Sequence, residues 1–135
     1  MRPGPARGTT ATAELIVDPS MTDAGHATAI DPAQPPTFGA LAMADAVARV
    51  ARTVLEGHLE ADEVAVPGRI EIIHRAPIAV GATVQLDATV QMVEPDRVTC
   101  EVLVRTDGAV AARASYEQEV VRRSEWTARV GTVAA

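Results

Sequence analysis

The sequence predicts an α+β domain in which one long helix is followed by an antiparallel β-sheet. Residues 38–59 are the one segment whose apolar residues recur with the spacing of a helix that buries one face. After this segment in the sequence, four further segments alternate apolar and polar residues as strands do. Because helices and strands do not alternate along the chain, a parallel sheet with crossover helices is not expected.

Five strands are predicted in total. A first strand at 11–17 ends at Asp18-Pro19 and leads into a long irregular connection at 20–36. The strands behind the helix are predicted at 64–75, 83–93, 97–106 and 109–122. Asp107-Gly108, between the last two, is a favoured two-residue hairpin loop, so these strands are expected to be antiparallel neighbours.

The predicted helix has an apolar face and a charged face. At about 100° per residue, the apolar face carries Met43, Val47, Val50, Val54 and His58. The charged face carries Asp45, Arg49, Arg52 and Glu56. On this basis Asp45 is a solvated carboxylate near the helix start, at i, i+4 spacing from Arg49.

The length and composition of the chain indicate one domain and exclude some partners. The 135 residues suit a single core, with a flexible lead expected at 1–10, the domain at 11–126 and a flexible tail at 127–135. The net charge of −6 and the absence of lysine argue against nucleic-acid binding. The single cysteine, Cys100, cannot form an internal disulfide, and no apolar run reaches the roughly 18 residues of a membrane span. A cytoplasmic protein without membrane partners is therefore expected.

One segment after the helix carries a family resemblance. The stretch Gly68-Arg-Ile-Glu-Ile-Ile-His-Arg-Ala-Pro77, followed by Val80-Gly-Ala-Thr-Val84, resembles the corresponding segment of bacterial thioesterases related to fluoroacetyl-CoA thioesterase. The resemblance extends over about 14–126. It implies the hotdog fold, in which a curved antiparallel sheet of about five strands wraps around one long central helix. It also implies a homodimer, or a tetramer built from such dimers, that binds an acyl-CoA or acyl-carrier thioester at the dimer interface.

The resemblance makes His74 the candidate catalytic histidine and leaves two assignments for its partners. A histidine suits the activation of water because imidazole titrates near neutral pH. The related enzymes also use a threonine near the helix start and an acid eight positions later, a spacing that Thr37 and Asp45 share. Counting back from His74 without a gap instead gives Ala40 and Ala48, which have no groups for proton transfer. Ala48 lies at the boundary between the two helix faces, so both assignments stay open.

The resemblance also implies residues that contact the substrate. These are Phe38, Gly39, Ala40, Gly68 and Gln118. Backbone amides at the start of the helix lack partners within the helix and are expected to bind the thioester carbonyl. Gln118 stands where the family has an arginine, and an uncharged amide cannot pair with a carboxylate or phosphate as a guanidinium does.

A second motif lies in the connection before the helix. Thr22-Asp-Ala-Gly-His26 is similar to the Asp-x-x-Gly-His signature of another hotdog thioesterase branch, one residue shorter. Asp23 is therefore either a water-activating carboxylate or an ordinary loop residue. The three histidines are not interleaved with acids at ligand spacing, so neither a metal nor another cofactor is expected.

Three functions are compatible with these residues. The first is a thioesterase that acts on a small or aliphatic acyl thioester. The second is a non-catalytic hotdog protein that binds an acyl thioester or another small apolar ligand. The third is a hotdog dehydratase or isomerase, because a fold does not fix a reaction.

Overall fold

The computed structural model describes residues 1, 3–23, 33 and 35–134. Strand β1 (Thr10–Ile16) is followed by a 3-10 turn (Pro19–Met21), helix α1 (Ala40–Thr53), strands β2 (Glu63–His74), β3 (Thr83–Glu94), β4 (Arg97–Thr106) and β5 (Ala109–Arg122), and helix α2 (Arg123–Ala134). The strands form one sheet in the order β1-β3-β4-β5-β2. In this order β1 and β2 are the two edges of the sheet. All pairings are antiparallel, which confirms the predicted α+β architecture.

The core lies between α1 and one face of the sheet. The predicted apolar stripe of the helix is buried at Met43, Val47, Val50 and Val54. Alternate residues of the three central strands face this stripe, as the period of two predicts. The opposite face of the sheet carries half-buried charged pairs such as Asp87 with Arg105.

The boundaries of β4 and β5 agree with the sequence prediction because a tight turn joins them. Asp107 and Gly108 both have positive φ, 51° and 75°, as a two-residue type I′ turn requires. Helix α1 begins two residues later than predicted, at Ala40. Thr37 and Phe38 form isolated bridges with Ala79 and Thr22, so their backbone is extended rather than helical.

The segments predicted as a lead (1–10) and a tail (127–135) include residues that contact the sheet. The amide of Gly8 donates to the carbonyl of Val90 at 2.8 Å, which continues the pairing of β1 with β3. At the other end, α2 runs through residues 127–134. Arg129 lies over the Trp126 ring within α2, and its ion pair with Glu119 of β5 links the helix to the sheet. No helix in the described part of the chain is long and apolar enough to cross a bilayer.

Candidate active site

His74 is the last residue of edge strand β2 and projects from the helix-facing side of the sheet. Its cross-strand partner is Ala112, and Ile72 lies opposite Ala114. Directly opposed residues share a face, and both alanines are buried beneath α1. His74 itself is exposed because the helix does not cover the end of this edge. Its Nε2 lies 2.8 Å from the carbonyl oxygen of Ala76.

Strand β2 exposes apolar side chains on both of its faces. Ile70, on the face that carries His74, is 42% exposed, and Ile73, on the opposite face, is 44% exposed. The outer edge of β2 has no neighbouring strand among the described residues. An exposed apolar edge strand is a surface on which another chain can pack.

The start of α1 is held at the same end of the domain as His74. Phe38 donates its amide to the carbonyl of Ile78 at 2.8 Å, and Thr37 bridges to Ala79. These partners follow His74 by only four and five residues. Thr37 is half-buried, whereas Phe38 is buried in the core. The structure therefore brings the helix start and the segment after His74 together.

The amides at the helix start differ from the prediction that they are open to a substrate. Gly39 donates to the carbonyl of Met21 at 2.8 Å, and Ala40 donates to Asp23 Oδ1 at 3.3 Å. With Phe38 already bonded, three of the amides at 37–40 have protein acceptors. The first helical hydrogen bond runs from Met43 to Gly39. The amides of Leu41 and Ala42 therefore have no acceptor within the helix.

Asp23 lies against the helix start, as its contact with Ala40 shows. A methyl group added to Gly39 would lie 2.8 Å from the backbone nitrogen of Asp23 and would also meet its carboxylate. A carboxylate in this position caps the helix and interacts favourably with its dipole. Gly25 and His26 of the predicted signature lie outside the described residues.

Asp45 lies on the flank of α1 that faces β1. Its carboxylate is 63% exposed and forms an ion pair with Arg49 at 2.8 Å. Both residues line a groove of about 450 Å³ together with Ala13 and Glu14 of β1. Because β1 is the edge of the sheet opposite to β2, the structure does not bring Asp45 and His74 together within one protomer.

Ala48 lies on the other flank, towards β2. Arg52 and Leu55 line a depression with Val64 at the start of β2. Ala48 precedes these helix residues by four and seven positions, so it projects on the same side. The half-buried Ala48 is therefore the residue that faces the edge carrying His74.

Gly68 and Gln118 hold structural positions. Gly68 lies at a register shift between β2 and β5, where an added methyl group would come within 3.3 Å of the Glu117 carbonyl oxygen. Gln118 is buried beneath the helix, and its Nε2 donates to the carbonyl of Ala51 at 2.9 Å. No group of three or more potential metal ligands exists among the described residues.

The contact of His74 that sequence reasoning missed is the one with the carbonyl of Ala76. A backbone group carries no signal in composition or periodicity. The only indication was Pro77, since a proline restricts the residue before it.

Comparison with known proteins identifies the family. The family model of fluoroacetyl-CoA-specific thioesterase, FlK, matches residues 17–124. The chain matches none of the curated proteins with which it was compared.

Solved structures agree with this match over nearly the whole chain. A Thermus thermophilus hypothetical protein, described as a thioesterase superfamily member, is 23% identical, with 99% of this chain and 96% of that chain covered and a TM-score of 0.86. A hot-dog-like protein from Thermanaerovibrio acidaminovorans is also 23% identical, with 96% and 93% covered and a TM-score of 0.86. The fluoroacetyl-CoA thioesterase FlK is 21% identical, with 96% and 97% covered and a TM-score of 0.85. The chain has the hotdog fold and belongs to the fluoroacetyl-CoA-specific thioesterase family.

Proposed function

We propose that this protein is an acyl-CoA thioesterase in which His74 activates water at a site formed between two protomers. Family membership supports thioester hydrolysis as the reaction class. A structural neighbour, a variant of FlK, was solved in complex with fluoroacetate and CoA, which supports a CoA thioester as the substrate. The single cysteine is compatible with a reducing, cytoplasmic location.

The observation that carries the proposal is the position of His74. Its imidazole is exposed at the end of β2, on the same face of the strand as Ile70 and Ile72. An apolar face that carries one titratable group suits a site for a small apolar substrate. A short or aliphatic acyl chain would need only apolar contacts with this face.

A second copy of the chain would complete the site. The outer edge of β2 and the exposed isoleucines Ile70 and Ile73 would be covered by the same edge of a partner, in the self-complementary manner of a two-fold dimer. Sedimentation equilibrium tests this assembly. A dimer is expected at assay concentrations, and a species of single-chain mass would contradict the shared site.

The reaction assigned to this site is a hydrolysis with one proton carrier. Water attacks the thioester carbonyl carbon, and its proton passes to the imidazole of His74. The C–S bond of the tetrahedral intermediate then breaks, and the imidazolium returns the proton to the departing sulfur. The products are the carboxylic acid and free CoA thiol. The amides of Leu41 and Ala42 are the candidate donors to the oxyanion, and Thr37 is the candidate hydroxyl at this end of the helix.

A binding protein without turnover is the second candidate, because of Ala48. This residue faces the edge that carries His74 and has no carboxylate to stabilise an imidazolium. A protein with the pocket but without the acid would bind acyl thioesters and release no thiol.

An assay of thiol release separates the two functions. Purified protein is given acetyl-, fluoroacetyl-, butyryl- and hexanoyl-CoA, and CoA thiol is followed with wild type, His74→Ala and His58→Ala. The His58 ring contacts the carbonyl of Pro3, so this variant is a matched control. We expect turnover that falls by about 100-fold or more only in His74→Ala. Binding without turnover in the wild type would favour the second function. A 3-hydroxyacyl-CoA that loses water would indicate a dehydratase, and an enoyl-CoA converted to a product of equal mass but different retention time would indicate an isomerase.

A further inference from the structure

We propose that the segment 74–77, His-Arg-Ala-Pro, fixes the tautomer of His74 through the backbone carbonyl of Ala76, which leaves Nδ1 as the basic nitrogen. The tautomer stands on geometry alone. Only its catalytic consequence rests on the proposed thioesterase function.

The hydrogen bond determines which ring nitrogen carries the proton. Nε2 of His74 lies 2.8 Å from the Ala76 carbonyl oxygen, and a carbonyl can only accept. Nε2 must therefore be the N–H donor in the neutral ring. The lone pair is then on Nδ1, which is the nitrogen that can take a proton from water.

The Ala76 carbonyl is itself held in place. The amides of Arg75 and Ala76 both donate to the carbonyl of Ala111 on β5, at 2.8 and 3.1 Å. Pro77 has a fixed φ and restricts Ala76 to extended conformations. On the far side, the Ile78 carbonyl accepts the amide of Phe38 at 2.8 Å. The peptide between Ala76 and Pro77 is thus held by hydrogen bonds of the residues that precede it and of the residue that follows it.

In many enzymes a carboxylate accepts the N–H of the histidine that acts as general base. Here the Ala76 carbonyl is the acceptor instead. Asp45 lies on the opposite flank of α1, and Ala48 on the near flank has no acid. A carbonyl orients the ring as a carboxylate does, but it has no full charge to stabilise an imidazolium. Pro77 and Ala76 are therefore positioning residues, which act on the reaction only through His74.

Nitrogen-15 NMR on the whole protein tests the tautomer directly. Recorded at alkaline pH, the ¹⁵N shifts of the His74 ring report which nitrogen carries the proton. Because free imidazole side chains also favour the Nε2–H form, the decisive observations are a scalar coupling between Nε2 and the Ala76 carbonyl carbon and slowed exchange of the Nε2 proton. A dominant Nδ1–H form, or absence of both the coupling and the slowed exchange, would overturn the proposal.

Pro77→Ala supplies the comparison, with Pro95→Ala as its control. Pro95 is an exposed proline in the turn between β3 and β4, remote from His74. We expect Pro77→Ala to lose the coupling and to speed exchange of the Nε2 proton, while Pro95→Ala retains wild-type values. Ala76→Gly relaxes the same peptide and keeps the proline, so it serves as the second variant if Pro77→Ala does not fold. If the scalar coupling and the exchange rate of the Nε2 proton are unchanged in the folded variant, Pro77 and Ala76 do not position the His74 ring.

Kinetics test the catalytic consequence separately. In a catalytically active protein, Pro77→Ala should lower kcat about tenfold with little change in KM, because the base loses its orientation. A change confined to KM would contradict the positioning role. If the NMR result holds and no acyl-CoA is hydrolysed, the tautomer assignment stands and the proposed function fails.

Discussion

Gln118 of β5 donates its side-chain amide to the carbonyl of Ala51 near the end of α1, at 2.9 Å. The glutamine is 1% exposed, and its Oε1 has no hydrogen-bond partner among the described residues. Ala51 also accepts a longer bond of 3.4 Å from Val54, where the helix ends. The amide therefore ties the last strand of the sheet to the last turn of the helix that it supports.

This hydrogen bond predicts that two substitutions of Gln118 differ in their effect on the free energy of unfolding. Gln118→Leu retains the volume and removes the unpaired oxygen, so it should change the free energy of unfolding by no more than about 1 kcal/mol. Gln118→Ala leaves a cavity and should cost about 2–4 kcal/mol. Urea denaturation followed by circular dichroism measures both variants. Equal losses in the two variants would mean that the hydrogen bond, rather than packing, is the main contribution.

The contact between Gly39 and Asp23 predicts a second stability effect. In Gly39→Ala the new methyl group meets both the carboxylate and the backbone of Asp23, so a loss of about 1–3 kcal/mol is expected. Asp23→Ala alone removes the cap from the Ala40 amide and should cost about 1 kcal/mol.

The double variant is the control for this interpretation. Asp23→Ala removes the side-chain part of the clash and leaves the backbone part, so the losses of the two single variants should sum to more than that of the double variant. Strict additivity in urea denaturation would show that the two residues do not interact.

The sequence was sufficient for the strands because their signals are local. The alternation of β5 and the Asp107-Gly108 turn predict this hairpin without knowledge of the rest of the molecule, although an irregularity between Val104 and Arg105 shifts its register beyond the first two pairs. The same alternation puts Gln118 on the inner face, two residues from the buried Tyr116. This periodicity was the signal for a structural glutamine, whereas the family resemblance suggested contact with substrate.

The site could be predicted only in part because its geometry depends on distant elements. His74 followed from a motif, but the helical wheel could not tell which flank of α1 meets which edge of the sheet. Asp45 and Ala48 were therefore indistinguishable candidates until the β1 and β2 edges were known. The helix start was misjudged for a similar reason, since Thr37 and Phe38 pair with Ala79 and Thr22.

Cys100 should be inert in the native protein. It is fully buried in β4, and burial raises the pKa of its thiol to about 11 from 9.0. At neutral pH the native state then holds about 100-fold less thiolate than the unfolded chain. A thiol-specific dye should label this single cysteine only as fast as the protein unfolds, and urea should accelerate the reaction.

The same shift predicts a pH dependence of stability. The unfolded thiol ionises above about pH 9 while the native thiol stays protonated, so this contribution to stability is complete below pH 9 and is lost as the pH rises towards 11. Cys100→Ala should show a smaller decline over this interval. Rapid labelling of the native protein at pH 8, with its stability intact, would contradict the burial of the thiol.

Asp45 should contribute little to hydrolysis, since it lies on the β1 flank of α1 and pairs with Arg49. We expect Asp45→Asn to leave kcat within about twofold of wild type, in contrast to His74→Ala. The exposed ion pair predicts a loss of less than about 1 kcal/mol in stability, and Arg49→Gln, the matched control, should cost the same. The measurements are steady-state kinetics with an acyl-CoA that the wild type hydrolyses, and urea denaturation. A tenfold lower kcat in Asp45→Asn, with Arg49→Gln unaffected, would contradict this prediction and would mean that the carboxylate meets the histidine of a partner protomer.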